Sequence, residues 1–275
     1  MRDATNEKLT RLREVLGSLP GAVVAFSGGA DSALVAAMAG RTLGDRALAV
    51  TAVSPSLPPG ELSDARAFAR DLGIRHRSVR THEVERDAYL ANGTDRCFHC
   101  KAELYDVLWV VAREERMGSV VSGANLDDLG DFRPGLRAAA ERDVRHPLVE
   151  AGLTKEDVRA VSRHLRLPTW DKPASACLSS RIALGVRITV DELSRVGRAE
   201  RALKELGLRQ VRVRVHGEIA RVEVDPQDLP RLAAEDLRSR AVAILKDLGY
   251  RFVTLDLEGF RSGSMNPPST EGHES

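Results

Sequence analysis

A glycine-rich segment, SGGADS, begins at Ser27 and combines residue types that bind phosphate. Gly28 and Gly29 let the backbone turn tightly and approach a phosphate without interference from a Cβ atom. Ser32 adds a second hydroxyl donor, and a helix beginning here would direct its positive end at the anion. Asp31 is unusual beside an anion, and a Mg²⁺ ion that bridges the phosphates explains it. The segment therefore predicts a site for ATP with Mg²⁺.

Related phosphate-binding motifs are absent from the sequence. It has no G-x-x-x-x-G-K-[ST] segment and no G-x-G-x-x-G after the strand, so neither of those nucleotide-binding motifs applies. A glycine-rich turn of any α/β protein is the alternative interpretation. The segment instead resembles the SGGxDS signature of PP-loop ATP pyrophosphatases. That resemblance implies adenylation of a carboxylate or carbonyl oxygen, release of pyrophosphate, and displacement by a nitrogen or sulfur nucleophile.

A second polar segment, GANLDDLGDFR, follows the apolar run SVVSG. Ligands of doubly wound folds bind at the carboxyl ends of such buried strands. Gly123, Asn125, Asp127 and Asp128 are therefore candidates for orienting ATP, Mg²⁺ or the acceptor. An ordinary turn has the same composition, so the phosphate-binding segment is what favours the functional interpretation.

The three cysteines form the third candidate group. Cys97 and Cys100 lie in RCFHCK, between Arg96 and Lys101 and before a helix predicted over 101–117, a setting that favours thiolate. Three thiolates, with Cys177, are one short of a closed zinc site but suit a [4Fe–4S] cluster whose open iron holds sulfide. Alternatively, Cys177 carries sulfur and the other two form a dithiol reductant, or the cysteines are small buried hydrophobes.

The elements that must position these residues alternate between strand and helix up to about residue 165, which predicts a doubly wound parallel sheet in an α/β domain. Short apolar runs predict strands, and amphipathic runs predict helices. The predicted strands cover 21–26, 46–53, 75–80 and 119–123, and the predicted helices cover 3–18, 33–43, 60–72, 83–91, 101–117 and 154–165.

A smaller α+β domain is predicted after the boundary segment 168–186. Period-two alternation at 210–216 and 219–225 around Gly217-Glu218 predicts a hairpin. Helices are predicted over 189–206 and 234–248, and a strand over 251–257. We therefore expect a PP-loop ATP-binding domain at 1–175, an acceptor-binding domain at 176–262 and a disordered tail at 263–275.

Composition limits the class of protein. The chain has 275 residues, 43% of them hydrophobic, and a net charge of +1. This near-neutral charge argues against a dedicated nucleic-acid surface. The charged N-terminus has no secretory h-region, and no apolar run is long enough to cross a membrane. The sequence thus favours a cytoplasmic protein.

Several motifs in one order resemble the LarE-type sulfur transferases, the pyridinium-3,5-bisthiocarboxylic acid mononucleotide synthases. The similarity extends from about Leu9 to Met265. It is carried by AFSGGADSAL, RCFHCKAEL, GANLDDLGDFRPGLRAA, LPTWDKPASACLSSRI, VRVRVHGEIARVEV and VTLDLEGFRSGSMN. The resemblance implies adenylation of the carboxylates of a pyridinium biscarboxylic acid mononucleotide, whose oxygen is then replaced by sulfur from sulfide or another source. The product matures into a nickel-pincer nucleotide.

The resemblance also implies roles for particular residues. Cys177 is the sulfur-bearing cysteine, which some members sacrifice, whereas members with three cysteines are thought to use an iron–sulfur cluster. The three-cysteine pattern favours the cluster here. Arg212 and Arg214 alternate on one strand and so share a face, suited to the substrate phosphate, although a solvated ribbon face is the alternative. Further candidates are Glu200, Glu223, Lys101, Ser180, Arg181 and Arg261. A homo-oligomer is also implied.

Three other functions compete with this interpretation. A tRNA thiolase pairs the same loop with three cysteines but usually brings zinc-binding cysteine pairs or a basic appendage. A PP-loop amidotransferase would not need the C-x-x-C. A non-catalytic ATP sensor would bind ATP without releasing pyrophosphate.

Overall fold

The chain divides into two compact units. Unit 1 comprises Met1–Leu90 and Thr94–Ala176, and unit 2 comprises Ala91–Gly93 and the chain from Cys177 onward. The structure, a computed structural model, describes residues 2–130, 134–173 and 176–261. The predicted tail at 263–275 lies outside the described residues. Within them, no helix combines the length and the apolar character needed to cross a membrane.

Unit 1 is built on a four-stranded parallel sheet. Its strands are β1 (Ala22–Ala25), β2 (Ala47–Val53), β3 (His76–Arg80) and β4 (Ser119–Val121), in the order β3-β2-β1-β4. The chain winds outward from β1 through β2 to β3 and then returns to place β4 on the other side of β1. The carboxyl ends of β1 and β4 therefore form a topological switch point, where ligands bind in open α/β sheets.

Helices cover both faces of this sheet. On β1, Val24 belongs to the apolar core shared with α1, α2 and α8, whereas its neighbour Val23 belongs to the core shared with α5. Burial on both faces explains why β1 is apolar throughout rather than alternating. The predicted doubly wound parallel sheet is confirmed. The helices are α1 (Arg2–Gly17), α2 (Ala30–Leu43), α3 (Glu61–Asp71), α4 (Asp87–Leu90), α5 (Arg96–Glu114), α6 (Pro134–Ala140), α7 (Pro147–Glu150) and α8 (Lys155–His164).

Some predicted element boundaries in unit 1 are wrong. Helix α5 begins at Arg96 rather than at residue 101, so both cysteines of the C-x-x-C lie inside the helix. The His99 ring lies 3.0 Å from the Asp95 carboxylate, a pair that supports the first turn. The helix predicted over 83–91 is a 3₁₀ turn, Glu83–Glu85, followed by α4, and neither α6 nor α7 was predicted.

Unit 2 contains a second, smaller sheet. Its elements are α9 (Val190–Glu205), β5 (Val211–His216), β6 (Ile219–Val224), α10 (Leu229–Ala233), α11 (Glu235–Asp247) and β7 (Phe252–Leu255). Strands β5 and β6 pair antiparallel, and β7 adds parallel to β6. The two-residue turn contains Gly217 at φ +62°, a left-handed conformation that glycine adopts without strain. The predicted hairpin is confirmed.

The segment Ala91–Gly93 belongs to unit 2 although unit 1 surrounds it in sequence. Asn92 is completely buried, and its side-chain amide donates to the carbonyls of Ala183 and Val186 at 2.8 and 3.0 Å. Its own carbonyl accepts from the Gly185 backbone N–H at 2.9 Å. One asparagine thus holds a whole turn of the chain in place.

Candidate active site

The SGGADS segment forms a tight turn between β1 and α2. Gly28 has φ +76°, and the Ser32 hydroxyl lies 3.1 Å from the Ser27 hydroxyl and donates to the Gly29 carbonyl at 3.1 Å. The N-terminus of α2 has no side-chain cap, so its first backbone N–H groups need partners from outside the helix. This geometry suits an anion held by main-chain donors.

The loop after β4 packs directly against the start of α2. A Cβ atom on Gly123 would lie 2.7 Å from the Ser32 backbone nitrogen and 2.9 Å from its Cα. Only glycine allows two backbones to approach this closely. The structure therefore brings together the two predicted site segments at the switch point.

Asp31 connects these two segments. Its carboxylate accepts a hydrogen bond from the Asn125 side-chain amide at 3.2 Å and forms an ion pair with Lys155. The Asn125 backbone N–H donates to Asp128 at 3.0 Å, and the Lys155 backbone N–H donates to Asp127 at 2.7 Å. The aspartates of GANLDD thus shape the loop and the start of α8, while Asn125 reaches the phosphate-binding turn.

The donor set fits the Mg²⁺ that this class of site implies. Magnesium in nucleotide sites is usually held by one or two carboxylates together with substrate phosphates. Asp31 supplies one partly exposed carboxylate beside the turn. Within residues 2–130, 134–173 and 176–261, no group of three or more His, Cys, Asp or Glu side chains forms a metal-binding set. Asp31 would hold a Mg²⁺ that arrives with the nucleotide.

Lys172 is a site residue that sequence reasoning missed. Its ammonium lies 2.8 Å from Glu61 at the start of α3 and beside Gly28 of the phosphate-binding turn. Lys155, which forms an ion pair with Asp31, was missed in the same way. Lys155 and Lys172 are 124 and 111 residues from their partners in sequence, so no local pattern indicated that they lie at this turn.

His146 lies next to the β4 loop. Its Nδ1 atom is 2.8 Å from the Ser122 hydroxyl. Burial lowers the pKa of His146, against the opposing effect of the Glu150 and Asp128 carboxylates. The ring is therefore neutral near pH 7, and it holds the strand end that leads to Gly123.

Cys97 and Cys100 lie in the first turns of α5. A spacing of three residues places them on one side of the helix. Cys97 is exposed and Cys100 partly exposed, and none of the three cysteines is in a disulfide. Lys101 follows them, with its side chain packed near Gly135 of α6 and 6.0 Å from the Tyr105 ring. Because the described part of the chain contains no three-residue metal-binding set, the iron–sulfur cluster stays a prediction.

Unit 2 buries a set of charged side chains, here called the arginine–glutamate cluster: Arg181, Arg212, Arg214, Glu200 and Glu223. The Arg181 guanidinium is 1% exposed and binds Glu200 through two hydrogen bonds of 2.8 and 3.0 Å. Glu200 also accepts from the Val213 backbone N–H at 3.1 Å. Such paired, planar contacts are the strong kind of charged hydrogen bond.

The second pair of the arginine–glutamate cluster lies on the hairpin. Arg214 binds Glu223 at 2.8 Å and donates to the Ser180 carbonyl at 3.0 Å. Arg212 shares this face, as the alternation of β5 predicts, and its guanidinium lies 5.1 Å from the Phe260 ring. The face is buried rather than solvated.

The arginine–glutamate cluster carries more positive than negative charge. Burial, together with the neighbouring cations Arg181 and Arg214, lowers the pKa of Arg212 to about 10, while Glu200 and Glu223 oppose this effect. Arg212 thus remains charged at neutral pH. An electropositive, desolvated guanidinium of this kind favours an anionic ligand.

The backbone of Cys177 is hydrogen-bonded to the same cluster. Its carbonyl accepts hydrogen bonds from the Arg181 guanidinium and the Ser180 hydroxyl, both at 2.9 Å. Arg261, by contrast, forms an ion pair with Glu258 on the surface, with its side chain about half exposed. The structure therefore unites Cys177, Ser180 and the cluster, and places Arg261 in an exposed pair.

A parallel sheet with an SGGADS turn at its switch point defines the PP-loop class of α/β proteins. A family model described as NAD synthase matches residues 7–97. The chain is 38% identical over 268 residues to the pyridinium-3,5-bisthiocarboxylic acid mononucleotide synthase of Lactiplantibacillus plantarum, covering 96% of this chain and 95% of that protein. It therefore belongs to the LarE family, which that synthase represents.

Two further relatives match along most of their length. An uncharacterized protein of Synechocystis sp. is 48% identical over 259 residues, covering 94% of this chain and 97% of that protein. An uncharacterized protein of Methanocaldococcus jannaschii is 25% identical over 240 residues, covering 87% of this chain and 90% of that protein.

Proposed function

We propose that the chain is an ATP-dependent sulfur transferase that converts carboxylates of a pyridinium biscarboxylic acid mononucleotide into thiocarboxylates, for a nickel-pincer nucleotide. The observation that carries the proposal is the contact between Cys177 and the arginine–glutamate cluster. The carbonyl of the proposed sulfur-bearing residue is bonded to the guanidinium of Arg181 at 2.9 Å. An anionic substrate bound by the cluster would therefore lie near that cysteine.

The first half of the reaction uses the phosphate-binding turn. Backbone N–H groups of the turn and the start of α2 hold the ATP phosphates. Asp31 would hold a Mg²⁺ ion that arrives with them, which would supply neutralisation of their charge. A substrate carboxylate oxygen attacks the α phosphorus, and the bond from that phosphorus to the β-phosphate oxygen breaks. Pyrophosphate leaves with the electron pair, and an acyl adenylate remains.

In the second half of the reaction, the substrate is held through its phosphate. Arg212 and Arg214 bind that phosphate, in keeping with the planar, bidentate donors of guanidinium groups. A sulfur nucleophile attacks the acyl carbon, and the carbon–oxygen bond to AMP breaks. AMP leaves with the electron pair. Sulfide as the nucleophile gives the thiocarboxylate directly, whereas the Cys177 thiolate gives a thioester. The Cβ–S bond of that thioester then breaks by β-elimination, with loss of the Cα proton, to leave the thiocarboxylate and dehydroalanine.

Two sources of that sulfur are proposed. In one, Cys97, Cys100 and Cys177 would hold an iron–sulfur cluster, which would supply sulfide, and in the other Cys177 itself donates its sulfur. Iron and acid-labile sulfide in protein purified without oxygen distinguish the two. Iron that is lost on substitution of any of the three cysteines by Ser supports the cluster. No iron after anaerobic reconstitution, with Cys177 losing sulfur during turnover, supports direct donation.

The test of the overall function is anaerobic incubation with ATP, Mg²⁺, the mononucleotide and sulfide. We expect pyrophosphate and AMP to appear together with a thiocarboxylate product seen by mass spectrometry. Asp31→Asn should abolish pyrophosphate release, and Cys177→Ser should abolish the sulfur-containing product. Pyrophosphate release without product in the wild-type chain, or ATP binding without pyrophosphate, would contradict the proposal.

A further inference from the structure

Lys172 lies at the phosphate-binding turn although 139 residues of chain separate it from Ser32, the last residue of that turn. Its ammonium is 2.8 Å from the Glu61 carboxylate and 3.8 Å from that of Asp64, both on α3. The side chains of Lys172 and Glu61 are 21% and 11% exposed. The ion pair is therefore mostly buried but keeps some contact with solvent.

The ammonium also borders Gly28. A Cβ atom on that glycine would lie 3.7 Å from Lys172 Nζ and 3.8 Å from Glu61 Oε2. Gly28 is the residue whose left-handed backbone turns the phosphate-binding segment. A phosphate seated on the turn would thus come within reach of the lysine, whose long stem is flexible.

We propose that Lys172 binds the β and γ phosphates of ATP and then the pyrophosphate product, with Glu61 orienting its ammonium. This assignment rests on the proposed use of ATP. An ammonium has three donors, so one can stay on Glu61 while the others bind phosphate oxygens. As the bond to the α phosphorus breaks, negative charge grows on the departing pyrophosphate, and a fixed cation there stabilises it. Lys172 transfers no proton in this step.

A purely structural ion pair would behave differently. If Lys172 only fixed α3 through Glu61, its loss would lower the affinity for all nucleotides alike or for none. If Lys172 binds phosphate, its loss should instead lower the affinity for ligands with several phosphates and spare AMP, which has one. Removing it should also leave the Glu61 carboxylate to repel the ligand, so that neutralising Glu61 restores part of the affinity.

The experiment is calorimetry on the full chain with Mg²⁺ and three ligands: α,β-methylene ATP, inorganic pyrophosphate and AMP. For Lys172→Met we expect a loss of about 10- to 100-fold in affinity for the first two, the range for a charged hydrogen bond. AMP affinity should change by less than about twofold. Lys172→Met/Glu61→Gln should regain part of the lost affinity, and Lys172→Arg, which keeps the charge, should retain most of it.

Lys8→Met is the matched control, because Lys8 also pairs with a carboxylate of unit 1, Asp157, at 2.9 Å. It should leave all three affinities unchanged. An equal loss for AMP and pyrophosphate in Lys172→Met, or no loss for pyrophosphate, would overturn the assignment. Failure of the wild-type chain to bind the ATP analogue would instead overturn the proposed ATP use itself, together with this role.

Discussion

The phosphate-binding turn of unit 1 and the arginine–glutamate cluster of unit 2 both suit anions, but by opposite means. The turn relies on backbone N–H groups and glycines, and its charged side chains, Asp31 and Lys155, are partly exposed. The cluster relies on guanidinium groups, with Arg181 and Glu223 almost fully buried. The close approach of backbone segments shapes the first site. Buried arginine charges, partly compensated by glutamates, shape the second.

This difference indicates what each ligand must do. A nucleotide that enters, is cleaved and leaves as two fragments suits a site whose cations stay in contact with water. A substrate held through two successive steps suits a rigid guanidinium face that buried carboxylates hold in place. The two sites should therefore respond to substitution in different ways.

The largest effect is expected at the cluster. Glu200→Gln removes the charge that compensates buried Arg181, and breaking a buried pair typically costs about 3–5 kcal/mol. We expect a loss of this size in the free energy of unfolding of unit 2, measured by hydrogen exchange of the β5 and β6 amides.

Glu258→Gln is the control for this prediction. It breaks the exposed pair with Arg261, and such surface pairs contribute about 0–1 kcal/mol. If the two variants destabilise unit 2 equally, the buried cluster has no special role in stability.

A smaller effect is expected at the turn. Gly123→Ala would place a Cβ atom 2.7 Å from the Ser32 backbone nitrogen, so the two loops must separate. Overpacking of this kind costs about 1–3 kcal/mol, and affinity for an ATP analogue should fall because the turn is displaced. Gly130→Ala, whose Cβ would meet no atom of the described residues beyond its chain neighbours within 4 Å, should change neither quantity. Normal affinity for the ATP analogue in Gly123→Ala would show that nucleotide binding does not depend on the close approach of the two loops.

The smallest effect is a pH dependence centred on His146. Burial lowers the pKa of His146 from its usual value of 6.5. Below that value the unfolded chain takes up the proton more readily than the folded chain, so stability present above pH 6.5 is lost as the pH falls. His146→Gln should flatten the decrease in melting temperature between about pH 7 and pH 5. His82→Gln is the control, because His82 is exposed. If His146→Gln leaves the dependence of melting temperature on pH as unchanged as His82→Gln does, His146 does not contribute to it.

The sequence was informative wherever a pattern is local. The apolar strands of unit 1 and the period-two hairpin of unit 2 are fixed by side-chain alternation within a few residues, and both are present in the structure. The placement of the Gly123 loop at the carboxyl edge of the sheet was also predicted from the buried strand before it, whereas its close approach to Ser32 was not. The start of α5 was misplaced, because the backbone N–H groups of Phe98 and His99 already donate to the Asp95 carbonyl, at 2.8 and 3.3 Å, and the cysteines lie within this first turn.

Long-range contacts could not be predicted in this way. Lys155 and Lys172 reach Asp31 and Glu61 across 124 and 111 residues, so no local pattern connects them. The arginines of β5 looked equally suited to a solvated ribbon. Their burial depends on Ser180 and Phe260, which come from segments outside the hairpin.

The enclosure of Ala91–Gly93 within the sequence of unit 1 has a consequence for dissecting the protein. The chain passes from one unit to the other at Leu90, at Gly93 and at Ala176, so no single cut separates two complete folding units. A fragment ending at Ala176 would retain Asn92 but lose the carbonyls that its amide binds. Unit 2 is therefore complete only when Ala91–Gly93, which is synthesised early, meets the residues from Cys177 onward, which are synthesised later.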